Sequence, residues 1–338
     1  MYDDDNSFGL DPWFADFMKI LTSWVLQRLN SKMQVHPRGN GFDGSNLTSP
    51  HISNRRTHTD LVVRISAIIA KALGLNVKLC MAIALGHDVG HGPFGHNSER
   101  ITKIKHPNNS AVMLQLVERS GKGLNLTWEV VSGIINHSRD NESLYLDKKQ
   151  PNEVSVVVIA DKLAYLFLDM EELVNCNFEW VDAKNIPEEI NILGETRKQR
   201  TISCINALIE ESQKKGRVSF SESEEARIFR IARSWMYKNF YKVMDFQEER
   251  LYQAENLKIV LEFFKSGNLC GNLAPEFVVS MLTDNEVNWL ADLLRNGKLI
   301  EEDSRQIYQL SALEIVRSLG GKEIDHKASP LWEPRSVA

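Results

Sequence analysis

The chain has 338 residues, 43% hydrophobic and 25% charged, the balance of a soluble globular protein long enough for one large domain or two ordinary ones. A formal net charge of −5 excludes the broad cationic face that neutralises phosphates, so neither a nucleic-acid nor a membrane partner is expected. Cys80, Cys176, Cys204 and Cys270 stand far apart with no C-x-x-C pair, which excludes a thiolate zinc site and a disulfide framework. The N-terminus lacks a basic, then apolar leader and no run reaches membrane-spanning length, so a cytoplasmic location is expected.

Residues 1–10 are acidic and read as a frayed end. Apolar residues at helical spacing from Pro12 to Met33 predict one amphipathic helix, and the Gly, Pro, Ser and Asn content of Val35 to Asn54 predicts a loop. After His58 the series Leu61, Val62, Ile65, Ile68, Ile69, Leu73 predicts a helix closed by Gly74, and Val77 to Gly86 a second. Gly90, Gly92 and Pro93 then impose a bend, from which His87, Asp88, His91 and His96 project. Asn97 or Ser98 is expected to cap a short helix, His106-Pro107 to break it before a helix from Asn108 to Ser120, and Thr127 to cap Trp128 to His137. The segment Val154 to Ala160 has the β-branched composition of a strand, but its continuation through Leu163, Phe167, Met170 and Leu173 has helical period and favours one long helix from Pro151. Further periodic blocks run over Thr196 to Lys215, Glu224 to Phe264, Ala274 to Leu294 and Ser304 to Leu319. The expected architecture is an all-α helical bundle: residues 1–54 as a helix and loop packed on a core of residues 55–180, with a C-terminal helical region, 181–338, in the same globule.

The chemistry concentrates in Ala84-Leu85-Gly86-His87-Asp88-Val89-Gly90-His91-Gly92-Pro93-Phe94-Gly95-His96-Asn97-Ser98-Glu99. His58 opens the preceding helix, and Asp161 follows an apolar run in which an unpaired carboxylate is costly to bury unless a cation meets it. His58, His87, Asp88 and Asp161 make a mixed nitrogen and oxygen set with open positions, suited to one Mn, Fe, Co, Ni or Mg ion per chain rather than a closed structural zinc. Asp161, Tyr165 and Asp169 are spaced i, i+4, i+8 and share a helix face, with Lys162 beside it. A solvent-facing stripe would read the same way; the apolar start of the helix turns the reading toward the site. Lys214, Lys215 and Arg217 are either phosphate contacts or a solvated charge run.

Four ordered blocks resemble the HD-domain phosphohydrolases of the deoxyguanosine triphosphate triphosphohydrolase branch: Arg55-Arg56-Thr57-His58, residues 84–99, Leu126-Thr127-Trp128-Glu129-Val130, and Ile159-Ala160-Asp161-Lys162-Leu163-Ala164-Tyr165. The resemblance implies an HD-domain helical bundle with a C-terminal helical extension and a metal held by His58, His87, Asp88 and Asp161. It implies that Arg55, His91, His106 and Lys162 face phosphates, that His96 and Glu99 form an acid/base pair, and that Gln34, Tyr165 and Asp169 contact a sugar. The implied reaction is hydrolysis of a purine (deoxy)nucleoside triphosphate or an analogue. The family's C-terminal Asp-Tyr-x-x-Gly-Met-Thr-Asp-Arg signature is eroded here to Glu276-Phe277 and Thr283-Asp284-Asn285, so stepwise removal of phosphates from a nucleotide analogue, the oxetanocin-A type of reaction, stands beside tripolyphosphate release. A non-catalytic nucleotide sensor and a cyclic-nucleotide phosphodiesterase are the rival readings. A homodimer is expected on general frequency alone.

Overall fold

Regular structure among the described residues is helical throughout, and their one isolated bridge is antiparallel, between Met33 and Asn54. The computed structural model describes residues 11–35, 52–138, 150–176, 178, 180–267, 269–297, 307 and 309–327. The frayed end read for residues 1–10, most of the loop read between Val35 and Asn54, and the start of the last helix at Ser304 lie outside them.

Helix α1 (Pro12–Leu21) begins at Asp11, whose carboxylate accepts from the Trp13 and Phe14 amides. The expected single helix to Met33 is broken at Thr22-Ser23. The Ser23 hydroxyl accepts from Leu26 and starts α2 (Trp24–Gln27), which tightens into a 3₁₀ turn at Arg28–Ser31. α3 (Arg55–Ala72) starts ahead of His58 because Asn54 caps it through the Thr57 amide, which puts His58 in the first turn. α4 (Val77–Gly86) is capped by Asn76 and delivers His87 and Asp88 at its end.

The bend after Asp88 leads into α5 (His96–Thr102), capped not by Asn97 or Ser98 but by Gly95, whose φ of +59° lets the chain reverse. α6 (His106–Val112) opens two residues early because Pro107 fits a first turn; it continues as a π turn, Met113–Val117, and ends in the kinked α7 (Glu118–Gly121). Thr127 precedes α8 (Trp128–Asn136) without a capping bond from its hydroxyl; its amide is taken by Asp16 at 2.7 Å.

α9 (Asn152–Cys176) runs 25 residues and absorbs the β-branched segment. Val154 to Ala160 are all buried, so this stretch has no solvent face to create a period, and a helix surrounded on all sides accommodates it. α3, α4 and α9 pack together as the centre. In the C-terminal half follow α10 (Arg197–Lys215), with a Thr196–Gln199 capping box, α11 (Glu224–Met236), a π turn at Tyr237–Tyr241, α12 (Lys242–Met244) and α13 (Glu248–Ser266). The block read from Glu224 to Phe264 is therefore broken after Met244. That read from Ala274 to Leu294 divides into α14 (Pro275–Ser280) and α15 (Asp284–Arg295), where Thr283 and Glu286 make a second capping box, and α16 (Ser311–Ser318) follows. One apolar cluster runs from Ile20 to Ile324. No helix among the described residues is long and apolar enough to cross a membrane.

Gly90 is where α6 meets the bend. A Cβ there would stand 2.1 Å from the Ser110 amide nitrogen and 2.5 Å from the Asn109 carbonyl carbon, while the Gly90 amide and carbonyl are bonded by the Ser110 and Asn109 side chains at 2.9 and 2.6 Å. Backbone stands in the way, not a movable side-chain tip. Gly90→Ala is expected to cost about 1–3 kcal/mol of stability, read as a lower melting midpoint by calorimetry.

Candidate metal centre and active site

His58 from α3, His87 and Asp88 from the end of α4, and Asp161 from α9 converge. His58 Nε2 lies 3.0 Å from Asp161 Oδ1 and 3.8 Å from Asp88 Oδ2; His87 Nε2 lies 3.4 Å from Asp88 Oδ1 and 3.8 Å from Asp161 Oδ1. His87 Nδ1 donates to the Ala84 carbonyl at 2.7 Å, which turns Nε2 toward the carboxylates, where it is buried without a hydrogen-bond partner. Burial opposes ionisation of Asp88, but His87, His91 and Arg55 hold its carboxyl well below the usual range, and His58 and His87 do the same for Asp161. Burial also opposes the charged form of His87, yet the Asp88 and Asp161 charges lift it to about 8. A donor set that gathers positive charge this strongly, with an orphaned imidazole nitrogen aimed inward, fits a divalent metal ion.

A second layer of histidines lies against Asp88. His91 Nε2 is 3.3 Å from Asp88 Oδ1, and its ring stacks on His106 with centroids 3.8 Å apart. Burial, Arg55 and His106 keep His91 neutral, well below its ordinary pKa. Glu99 is bonded to both His96 and His106: His96 Nδ1 is 3.4 Å away, and Glu99 Oε1 accepts from the His106 amide at 2.9 Å and from His106 Nδ1. The carboxylate thus orients His106 more tightly than the expected partner, His96, whose side chain is largely exposed. Burial resists the charge on Glu99, and these two imidazoles hold it ionised.

His137 was read only as the end of a helix. Its Nδ1 donates to the Ile134 carbonyl at 2.6 Å, its ring stands edge-on to His87 at 4.9 Å, and its Nε2 lies 3.3 Å from His106 Nε2. Burial and the positive field of His87 and His106 push it down to about 3, so it stays neutral. The signal was present: Val130, Val131 and Ile134 are the buried stripe of α8, and His137 continues it at i+3 from Ile134.

A cavity of about 640 Å³ opens over these groups. Gln34, Arg55, His91, His96, His106, Lys162, Tyr165 and Asp169 all line it, as does Asp161. Arg55 is there in a different posture from the one expected, with Nη1 on Asp88 Oδ2 at 2.7 Å and Nη2 on the Gln34 carbonyl at 2.9 Å. Lys215 is not brought to the site. It sits at the end of α10, paired with Glu211 at 2.9 Å and Glu222 at 2.7 Å, because a lysine in a last helical turn finds nearby carboxylates first. The basic and aromatic lining that sequence reasoning missed comes from α5, α11 and their neighbours: Arg100, Arg230, Arg233, Tyr237, Tyr241 and Arg250. Arg230 and Arg233 stand one turn apart on α11, a spacing visible in the sequence. Arg233 Nε donates to the Tyr165 hydroxyl at 3.2 Å, and the Tyr241 hydroxyl donates to Asp169 Oδ2 at 2.6 Å.

Behind Asp169, Glu172 accepts from the Ser53 amide at 2.7 Å; burial lifts its carboxyl from 4.5 to about 7, and burial with the nearby Glu172 raises Asp169 well above its ordinary range. A folded-state pKa above the unfolded one means that the folded protein holds the extra proton, so stability is highest below the unfolded value and falls as pH rises through the folded one. The contribution of Glu172 to stability is therefore expected to be lost between about pH 5 and about pH 8, opposite in sign to that of the neutral His91 and His137, so that over this range the melting midpoint of Glu172→Gln rises relative to wild type; thermal melts of the two proteins check it.

The HD-domain family model matches residues 55–166, the stretch that carries His58, His87, Asp88 and Asp161. A deoxyguanosinetriphosphate triphosphohydrolase-like protein of Clostridium tetani is 33% identical over 278 residues, covering 78% of this chain and 75% of that one. Proteins of the same description from Caldanaerobacter subterraneus and Clostridium perfringens are 34% and 32% identical, over 66% and 75% of this chain and 63% and 73% of their own lengths. The solved structure of a hypothetical protein from Aquifex aeolicus matches with a TM-score of 0.50 at 18% identity, over 87% of this chain and 71% of that one, and shares the helical fold. The chain belongs to the deoxyguanosinetriphosphate triphosphohydrolase-like family of HD-domain proteins.

Proposed function

We propose that the protein hydrolyses a purine (deoxy)nucleoside triphosphate or a close analogue with one divalent ion, Mn, Fe, Co, Ni or Mg, bound by His58, His87, Asp88 and Asp161. The observation that carries this reading is the convergence of those donors beside a cavity lined by the cations Lys162, Arg230 and Arg233 together with Tyr165, Tyr241 and the carboxyl of Asp169. When bound, the ion polarises a phosphoryl oxygen and makes water a stronger nucleophile.

The chain's own groups supply the rest. Lys162 and Arg230 line the cavity and offer charge-assisted hydrogen bonds to phosphate oxygens, while Arg233, also in the lining, donates to the Tyr165 hydroxyl. Arg55, committed to Asp88 and the Gln34 carbonyl, fixes the orientation of a metal donor. His96 stands in the cavity with Nδ1 toward Glu99, so its Nε2 is free to give or take a proton at a leaving or attacking oxygen. His106 is held by Glu99 on one nitrogen and faces His137 on the other, and neutral His91 stacked on it offers a hydrogen bond without adding charge. In the same lining, Asp169 Oδ1 is buried without a partner while its Oδ2 holds Tyr241, an arrangement that suits a sugar hydroxyl, and Gln34 and Tyr165 line the cavity as well.

Water attack at the α-phosphorus releases tripolyphosphate and nucleoside; attack at the terminal phosphorus releases orthophosphate in steps. Incubating metal-loaded protein with nucleoside triphosphates and resolving the products by ion-exchange chromatography separates the two, and no turnover of any nucleotide with any of these metals would sink the proposal. His96→Ala is expected to lower kcat by about 10²–10⁴ with metal content intact. Asp161→Asn is expected to lose both metal, by elemental analysis, and turnover.

A further inference from the structure

Phe94 carries a φ of +59°, a backbone region that residues with a Cβ rarely adopt, and its side chain is fully buried. It lies in the bend between His91 and His96. Both of its backbone polar groups are held by buried charged side chains from the far end of the sequence: the amide donates to Asp284 Oδ1 at 2.9 Å, and the carbonyl accepts from Arg250 Nη1 at 3.3 Å. The other oxygen of the same carboxylate, Asp284 Oδ2, accepts from the Met33 amide at 2.8 Å. One carboxylate therefore ties the bend to the segment whose next residues, Gln34 and Val35, line the cavity. Lys32, buried beside Met33, adds a parallel tie by donating to the His91 carbonyl and, at 3.5 Å, to that of Ser280.

Asp284 is completely buried at the first turn of α15, where the Thr283–Glu286 capping box fixes its place. The metal donors lie on α3, at the end of α4 and on α9, outside the Gly90–Gly95 bend. The clamp thus acts on the bend that carries His91 and leads into His96, not on the helices that present the metal donors.

We propose that Asp284 is a positioning residue of the hydrolytic reaction: by accepting the Phe94 and Met33 amides together it holds the bend in its left-handed turn and aims His91 and His96 into the cavity. This rests on the nucleotide-hydrolysis reading of the site. Asparagine keeps the size of the side chain but has one acceptor oxygen, so in Asp284→Asn one of the two amides meets an NH₂ group, and the turn at Phe94 loses what over-determines it.

The test compares Asp284→Asn with Val287→Ala, a cavity-forming change at a fully buried apolar position on the same helix. Two readouts are taken on the metal-loaded full chain: steady-state kinetics, and amide hydrogen exchange of residues 90–96 by mass spectrometry. Asp284→Asn is expected to speed exchange in this stretch and to lower kcat by about 100-fold, the scale of a misplacement near 1 Å, with KM within about twofold and metal content unchanged. Val287→Ala is expected to lower the melting midpoint and leave kcat and that exchange at wild-type values. Should Asp284→Asn fail to fold, Arg250→Met, which removes the side-chain donor from the Phe94 carbonyl and leaves it the Asn97 amide alone, is read by the same exchange measurement with the same expected increase. Unchanged exchange at 90–96, or an equal loss of kcat in Val287→Ala, overturns the proposal. A wild-type protein that turns over no nucleotide removes the function, and the exchange comparison still judges the clamp.

Discussion

Two carboxylates set among apolar helices, Asp88 buried and Asp161 half-buried at the cavity, govern the interior of this protein. Asp88 ends a helix whose Ala82 to Gly86 are all buried, and Asp161 follows seven consecutive buried residues on α9. Neither can lie in such surroundings without positive charge close by. Arg55 meets Asp88 at 2.7 Å and His58 meets Asp161 at 3.0 Å, and the two imidazole Nε2 atoms stand between the acids. Because ionised acids and orphaned nitrogen are gathered in one place, a divalent cation is the group that satisfies them together. The neighbouring histidines differ: although Asp88 favours their charged forms, burial and the cations around them keep His91 and His137 neutral, and Glu99 holds His106 by hydrogen bonds.

The helices supply rigid donors and the bend supplies aim. His58, His87 and Asp161 are fixed by α3, α4 and α9, whose mutual packing forms the centre of the core. His91 and His96 hang on a turn containing glycines and a phenylalanine in an unfavourable conformation, which cannot persist on local preference alone. Its support comes from Lys32, Arg250 and Asp284, so the N-terminal and C-terminal segments converge beneath the same turn.

Much of this was legible because metal-ligating residue types are rare and were concentrated: three histidines and two acids in residues 84–99, with His58 and Asp161 at helix positions that face the same point. The long α9 was legible from Leu163 onward by its period, though Val154 to Ala160 imitates a strand, since complete burial erases the contrast on which period depends. His137 escaped notice because a single histidine ending an apolar stripe looks like any helix terminus. Lys215 misled because a basic run reads alike whether it meets phosphate or the carboxylates of Glu211 and Glu222. The breaks at Ser23, Met244 and Thr283 were invisible to periodicity, because the helices on either side stay amphipathic and capping side chains or a tight turn, not a change in pattern, separate them.

The eroded C-terminal signature takes on a physical meaning once its remaining residues are placed. Phe277 is buried and stacks on His326, Thr283 caps α15, and Asp284 holds the Phe94 and Met33 amides. Of that remnant, Phe277 and Asp284 are the residues with contacts to the core and to the turn between His91 and His96, while Asn285 is exposed. Divergence in this region therefore need not loosen the turn, whose demands are set by Phe94's backbone rather than by the substrate. The cavity wall formed by Arg233, Tyr237 and Tyr241 belongs instead to α11 and the π turn after it, where side chains can change without disturbing the clamp. Within the C-terminal half, Arg250 and Asp284 hold the turn between His91 and His96, and α11 with the π turn after it forms part of the cavity wall.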